Sequence, residues 1–264
     1  MHPKTILVEK KDNIIYLTLN RPDKLNALSE EVLSELKEFL TGVKEDKFSS
    51  RGIIFTGAGN KAFIAGADIK AMDSMTPQQG ETFGRLGQEV SLLFEQVPLP
   101  VIACVNGFAL GGGCEMAMSC DMIYATTNAI FGQPEINLGL IPGFGGTQRL
   151  MRYVGLGHAR EMIYTGRNVK AQEAFKIGLA QKIFETKEEM IAAAEKTLLI
   201  IKEKSPLIVA KCKEVINEGE GKTVSQGLEL ENSAFHFVFG TEDKDIGVKA
   251  FLEKKKADFS KLYS

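Results

Sequence analysis

Two glutamates and two turns of small residues carry the chemistry this sequence could perform. Glu115 stands in Val105-Asn106-Gly107-Phe108-Ala109-Leu110-Gly111-Gly112-Gly113-Cys114-Glu115-Met116-Ala117, where an apolar strand runs into three glycines and a helix opens behind them. Three consecutive glycines are costly in backbone entropy, so something must approach the main chain closely there. A helix start presents unpaired N–H groups and the positive end of its dipole, a seat for an oxygen that gains negative charge during a reaction. Glu115 falls in the first helical turn, where its carboxylate can face that seat. A second turn, Ala65-Gly66-Ala67-Asp68-Ile69, could aim the N–H of Ala67 at the same ligand. With the N–H of Gly112 it would make a two-donor oxyanion hole. Glu135, in Phe131-Gly132-Gln133-Pro134-Glu135, lies one strand beyond Glu115, so both carboxylates could meet at the same strand ends. Two carboxylates facing one water can divide the work, one removing a proton while the other donates one. Each feature alone also has a plain reading: a tight turn with a dipole-favoured acid, a surface turn, a solvated glutamate.

These groups need elements that bring them to one edge. Residues 5–8 and 14–19 read as strands around a Lys-Asp-Asn turn, with period-two alternation in Ile14-Ile15-Tyr16-Leu17-Thr18-Leu19. Ser29 has the place of a helix N-cap, with Glu30 and Glu31 behind it and Val32, Leu33, Leu36, Phe39 and Leu40 at helical spacing. Residues 52–56 read as a buried strand, 57–61 as a loop and 63–70 as a Gly/Ala-rich turn. A helix over 77–96 places Phe83, Leu86, Val90, Leu93 and Phe94 on one face. Strand 101–105 then leads through the glycines into a helix ending near Ser119, and 122–126 is a further strand. The repeated order of strand, helix and strand makes the core α/β. Beyond Phe131 the chain is first rich in Gly and Pro, then reads as helix almost throughout, interrupted by one short strand near 181–184. Thr186 and Glu189 have capping-box spacing for a helix over 187–204, and 206–218, 223–239 and 241–256 are further helices. Phe235, Phe237, Val238 and Phe239 exceed what a short terminal helix can hide alone. A partner subunit and the chain's own core would cover them equally well.

At 264 residues and 44% hydrophobic, the chain suits one large globular domain, or one with an appendage. A net charge of −2 gives no reason to expect nucleic acid or an anionic membrane. Cys104, Cys114, Cys120 and Cys212 lack paired-ligand spacing, and His2, His158 and His236 are scattered. This argues against a zinc site and a disulfide framework, and for a reducing compartment. The first residues show neither an apolar signal core nor an Arg-rich presequence, and no apolar run nears the ~20 residues of a membrane helix. The expected location is the cytoplasm. Gly57-Ala58-Gly59-Asn60-Lys61-Ala62 fits a relaxed dinucleotide pattern, but a glycine-broken loop follows where that pattern needs a helix, so nicotinamide binding is rejected. Neither a phosphate-binding P-loop nor a nucleophile elbow occurs. Cys114 has no histidine near in sequence to activate it and reads as a packed core thiol. Lys254-Lys255-Lys256 reads as the solvated face of an amphipathic helix.

Five motifs carry a family resemblance. They are Asn20-Arg21-Pro22 with Leu25-Asn26-Ala27-Leu28; Phe63-Ile64-Ala65-Gly66-Ala67-Asp68-Ile69; Asn106-Gly107-Phe108-Ala109-Leu110-Gly111-Gly112-Gly113-Cys114-Glu115; Pro134-Glu135; and Ile141-Pro142-Gly143-Phe144-Gly145-Gly146-Thr147-Gln148-Arg149. In this order the chain resembles the crotonase family over nearly its whole length, and looks most similar to the family's short-chain enoyl-CoA hydratases. The resemblance implies an α/β fold, a spiral of ββα units over 1–197, followed over 198–264 by a helical region that assembles trimers paired into hexamers. It implies that a thioester oxygen lies between the N–H groups of Ala67 and Gly112. Glu115 would help activate a water that adds to Cβ of a trans-2-enoyl-CoA, and Glu135 would be the main proton donor to Cα. Lys24, Leu25 and Ala27, the run Ala65, Gly66, Ala67, Asp68, Ile69 and Lys70, and Gly112, Pro134 and Gly143 look like the family's positions for CoA and substrate. Coenzyme A arrives as part of the substrate, and no separate cofactor or metal is expected.

The crotonase scaffold also hosts isomerases, decarboxylases, hydrolases and dehalogenases, so fold alone does not assign the reaction. The presence of both glutamates favours hydration, since isomerases of the family usually lack the one at the place of Glu115. An isomerase or a hydratase-isomerase is the alternative. Some hydratases of this kind bind RNA through basic helices, but the helix from Ser29 mixes Lys37, Lys44 and Lys47 with Glu30, Glu31, Glu35, Glu38, Glu45 and Asp46. In the same reading Ala71-Met72-Asp73-Ser74-Met75 borders the acyl pocket, and flexible methionines suit several chain lengths. Reversible hydration would serve β-oxidation of fatty acids, butanoate synthesis or aromatic catabolism alike.

Overall fold

The computed structural model describes residues 5–46 and 48–263. Residues 1–4, which include His2 and most of the stretch read for a leader, lie outside these, as do Lys47 and Ser264. β1 (Ile6–Lys11) and β2 (Ile14–Leu19) pair antiparallel across Asp12 and Asn13, whose φ angles of 53° and 64° are left-handed. Asp and Asn tolerate such a two-residue turn. α1 (Glu30–Glu45) opens on Ser29, whose hydroxyl accepts from the Val32 N–H. β3 (Gly52–Gly57) is buried at every position and leads to β4 (Ala62–Ile64). After the single-turn α2 (Ile69–Met72), α3 (Pro77–Gln96) starts on a reciprocal capping box of Thr76 and Gln79. β5 (Val101–Val105), β6 (Phe108–Leu110), α4 (Gly112–Met118), β7 (Met122–Thr126) and β8 (Ile130–Gly132) follow. Then come α5 (Gly146–Thr165), broken at Gly155 with φ 77°, β9 (Asn168–Lys170), α6 (Ala171–Lys176) and β10 (Lys182–Phe184). α7 (Lys187–Lys202), α8 (Pro206–Gly219), α9 (Val224–Phe239) and α10 (Glu242–Leu252) complete the chain.

Two sheets result. The larger has the order β1-β2-β3-β5-β7-β10 and is parallel apart from the first hairpin. The smaller has the order β4-β6-β8-β9, parallel apart from β8 with β9. Three buried strands of the large sheet each hand the chain to a short strand of the small one before a helix: β3 to β4, β5 to β6, β7 to β8. This is the repeat of ββα units that the family resemblance implies. The small sheet is the part that differs from the reading of the residues themselves. That reading put 63–64 in a Gly/Ala-rich turn, and placed no strand at 108–110, 130–132 or 168–170. Strands of three residues are too short to display an alternation.

The parallel strands are covered on both faces, as such sheets require. Met190, Ala194 and Leu198 of α7 pack on Ile14, Ile54, Ile102, Cys104 and Tyr124. The other face joins α1, α3 and the small sheet in one core, where Phe55 stacks on Phe94 at 4.9 Å and meets Phe63 edge-on at 5.0 Å. α7 runs through residue 197, so the division drawn there falls inside a helix that belongs to this packing. Lys213 ties α8 to the core, its buried ammonium donating to the carbonyls of Phe94 and Leu99 and to the Asp121 carboxylate. α9 buries none of its residues, and Phe235, Phe237 and Phe239 are exposed along it.

One smaller reading of charge is revised by these contacts. Lys254 takes a left-handed φ of 54°, and α10 ends at Leu252, so the basic run lies beyond the helix. There Lys255 pairs with Glu253 and Lys256 with Glu203. On α1, Lys37 and Lys44 reach across to Glu89 and Gln96 of α3. Among the described residues no helix is long and apolar enough to cross a membrane, and no group of three or more His, Cys, Asp or Glu side chains could hold a metal ion.

Candidate active site

The three glycines at the start of α4 are each required for a different reason. Gly111 has φ 51° and ψ −122°, a conformation that L side chains rarely adopt, and a Cβ there would lie 2.7 Å from Glu135 Oε1. A Cβ on Gly112 would press on the Phe144 ring at 3.0 Å and on Leu28 at 3.1 Å. A Cβ on Gly113 would sit 2.0 Å from the carbonyl oxygen of Ile64. The close approach that the sequence demands is therefore made by β4, by Phe144 and by the second glutamate. It brings the end of β4, which carries Ala65 to Ala67, against the N-terminus of α4.

Glu115 is 1% exposed. Its Oε1 accepts from the N–H groups of Phe144 at 2.8 Å and Gly146 at 2.6 Å. Burial pushes its pKa upward, against the pull of those two N–H donors and of the Arg149 guanidinium. The loop that supplies the donors is itself braced. The Phe144 ring is clamped between Gly87 of α3, where a Cβ would fall 2.2 Å from it, and Gly112 of α4. Arg149 donates to the Phe144 carbonyl at 2.9 Å, to Ser91 Oγ at 3.1 Å and to Glu95 Oε1 at 2.6 Å. Arg149 and Phe144 thus position Glu115. The sequence contains them within a motif, but their roles depend on contacts with α3 that no local pattern announces.

Glu135 sits in a short 3-10 turn, Pro134–Leu138, directly after β8. Its pKa is raised to about 7, first by burial and further by the charge of Glu115, while its own N–H works in the opposite direction. Gln133 is fully buried, and with its amide nitrogen turned to the carboxylate it donates to both Glu135 oxygens, at 3.1 and 3.2 Å. Reading the residues did not single out Gln133. An amide within a buried strand end next to an acid is the signal that was available. Each acid has N–H donors of its own, two backbone amides for Glu115 and the Gln133 amide for Glu135, and burial raises the pKa of both.

Ala67 forms a single parallel bridge with Leu28. The Leu28 N–H donates to Gly66 O and the Asp68 N–H donates to Leu28 O, so the N–H of Ala67 itself faces away from that pairing. The neighbouring loop is stitched to the same turn. Ala65 N–H donates to Leu25 O at 3.1 Å, Arg21 donates to Ala27 O at 2.6 Å and pairs with Asp68 at 3.3 Å. Leu25 and Asn26 hold left-handed φ angles of 51° and 57°, each worth about 1 kcal/mol of strain or more. The Asn26 side chain offsets this by accepting from Arg21 N–H and donating to Ala58 O and Ala62 O.

A cleft of about 360 Å3 gathers most of the residues that the sequence nominates. Glu115, Glu135, Ala65, Gly66, Ala67, Ile69, Gly112, Pro134 and Gly143 all line it. Lys24, Leu25, Ala27, Asp68 and Lys70 do not. They lie on the adjoining loop and turn, with Lys24 and Lys70 exposed there. Cys114 stays out of the chemistry: it is fully buried, and burial pushes its thiol up to about 12. The Gly57 stretch leads into β4 and not into the helix that the relaxed dinucleotide pattern requires. The arrangement brings two buried carboxyl groups, the turn of Ala65 to Ala67 and the glycine start of α4 into one cleft with an apolar wall.

Many known proteins resemble this chain in sequence and fold. The family model described as enoyl-CoA hydratase/isomerase matches residues 9–261. A crotonyl-CoA hydratase of Syntrophomonas wolfei is 45% identical, over 97% of this chain and 98% of that protein. A short-chain-enoyl-CoA hydratase of Clostridium acetobutylicum is likewise 45% identical, over 98% of each. The crystal structure of an enoyl-CoA hydratase from Bacillus anthracis superposes with a TM-score of 0.92 at 38% identity, covering 97% of this chain and 98% of that one.

Proposed function

The chain belongs to the enoyl-CoA hydratase/isomerase family, and we propose that it is an enoyl-CoA hydratase that adds water reversibly across the trans-2 double bond of an enoyl-CoA to give the 3-hydroxyacyl-CoA. The observation that carries this reading is the pair of carboxyl groups, Glu115 and Glu135, in one cleft with Ala67 and Gly112. The thioester carbonyl oxygen takes the N–H groups of Ala67 and Gly112, and a water sits between the two glutamates. Glu115 removes a proton from the water as its oxygen bonds to Cβ. The double-bond electrons move to the thioester oxygen, where the two donors hold the enolate, each such donor contributing ~2.7–4 kcal/mol. Glu135 then protonates Cα, and a proton passing from Glu115 to Glu135 restores the pair. An isomerase needs a single group to move one proton along the acyl chain. The buried, doubly hydrogen-bonded Glu115 is a second group with no part in that reaction.

The proton inventory gives the test. Glu135 must enter protonated, and its pKa is about 7. kcat/KM for crotonyl-CoA therefore declines as pH rises above about 7, and it declines on the acid side as Glu115 takes up a proton. A profile flat from pH 6 to 9 removes Glu135 as the donor.

We propose further that the helices of 198–264 assemble the chain into a dimer of trimers, which would cover the exposed Phe235, Phe237 and Phe239 of α9. Light scattering should then return the mass of a hexamer of 28.9-kDa chains, and a monomer mass sinks this reading. The expected setting is the cytoplasm, with coenzyme A supplied by the substrate.

A further inference from the structure

One buried aromatic side chain of α3 stands in the lining of the cleft. Of the residues that line it, Ile141 is 76% exposed, whereas Phe83 on α3 is 8% exposed. Gly80 and Gly84 flank Phe83 on the same cleft wall, and a Cβ on either would meet nothing within 4 Å. On α3 the cleft is thus walled by two glycines and a single phenyl ring. Phe83 also lines a second recess of about 380 Å3, with Met75 and Leu86 as apolar wall and Ser74, Gln78 and Thr82 among its polar residues. Among the described residues, Phe83 alone lines both spaces. The ring is also fixed. It packs edge-on to Phe144, with centroids 5.5 Å apart and planes at 60°, and Phe144 is pinned between Gly87 and Gly112. Swinging Phe83 aside would disturb the loop whose N–H groups serve Glu115.

We propose that Phe83 is the stop that sets acyl-chain length. It restricts the enzyme to short enoyl chains, and its removal joins cleft and recess into one channel whose far mouth opens among Ser74, Gln78 and Thr82. This rests on the hydratase reading of the same site. A longer chain would then lay its outer methylenes against Met75 and Leu86, with its end at a wet rim. Each methylene that leaves water adds roughly fourfold in affinity.

The test compares wild type with Phe83→Ala on enoyl-CoA thioesters of four, six and ten carbons. Calorimetric binding of saturated butyryl-CoA and decanoyl-CoA runs alongside. Phe83→Leu is carried in parallel, because it keeps most of the packing on Phe144 should the alanine variant fail to fold. Wild type should favour the four-carbon substrate. In Phe83→Ala the ten-to-four-carbon ratio of kcat/KM should rise by about tenfold or more, with the decanoyl-to-butyryl affinity ratio rising alongside and Phe83→Leu in between. A purely structural role for Phe83 would lower the rates on all chains together and leave both ratios unchanged, which overturns the proposal. If wild type hydrates none of the substrates, the hydratase reading fails, and the two affinities still decide whether Phe83 is the stop.

Discussion

Glu135→Gln lowers kcat/KM for crotonyl-CoA by about 10²–10⁴-fold, the range by which a positioned proton donor accelerates a reaction. Glutamine keeps the shape and the place beside Gln133 but holds no acidic proton for Cα, so binding of CoA thioesters persists while turnover is lost. The descending limb of the pH profile disappears with it. Glu115→Gln loses activity on the same scale for the complementary reason. Its Oε1 can still accept from Phe144 and Gly146, so the fold survives, but no base remains to take the water's proton. The pH dependence of stability serves as a check on Glu135. Glu135 has its pKa raised from 4.5 to about 7 by folding, so the folded chain holds a proton that the unfolded chain releases. Stability from this group is therefore complete below pH 4.5 and is lost as pH climbs toward 7. Glu135→Gln removes that loss, and its urea midpoint relative to wild type should be higher at pH 8 than at pH 4.5. A midpoint difference independent of pH contradicts the buried, proton-holding Glu135.

The second large effect is expected at a residue that does no chemistry. Gly113→Ala puts a methyl group 2.0 Å from the Ile64 carbonyl oxygen, and neither partner is a flexible side chain that could step aside. β4 must retreat from α4, and with it Ala67 from Gly112, the pair proposed to hold the thioester oxygen. Overpacking of this kind costs ~3 kcal/mol or more where backbone meets backbone. The variant should lose stability on that scale, and whatever folds should hydrate crotonyl-CoA far more slowly than wild type. Gly42→Ala in α1, where a Cβ would meet nothing within 4 Å, is the control and should gain up to about 1 kcal/mol from helix propensity. Urea melts and crotonyl-CoA rates on the two variants decide the matter. Wild-type behaviour of Gly113→Ala would mean that the contact of α4 with β4 does not set the site.

How much of this was legible in the sequence depended on how local each signal is. β2, β3, β5 and β7 are strands of five or six residues, rich in Ile and Val, and they stand where the residue pattern puts them. α3 runs over the expected 77–96 because its capping box and its proline announce the start. The small sheet was illegible from pattern because its strands are three residues long and each finds its partner only after a helix or a long connection has brought it round. The glycine run told that something comes close to the backbone, but not that Ile64, Phe144 and Glu135 each do so. Glu115 and Glu135 were legible as a pair only through their place at consecutive strand ends. Gln133, Phe144 and Arg149 were not, because what they do is hold other groups: Gln133 donates to Glu135, and Arg149 links Glu95 of α3 to the loop that serves Glu115. Such positioning roles are written in tertiary contacts between segments far apart in the chain.

The most direct measurement follows the loss of conjugated enoyl-thioester absorbance on adding crotonyl-CoA to wild type and to the double variant Glu115→Gln/Glu135→Gln, with thioester binding measured on both. Rapid loss with wild type, formation of 3-hydroxybutyryl-CoA, and an inert double variant that still folds and binds is the result expected of a two-glutamate hydratase. A wild type that binds crotonyl-CoA yet leaves the absorbance untouched, or a double variant that hydrates as fast as wild type, contradicts it.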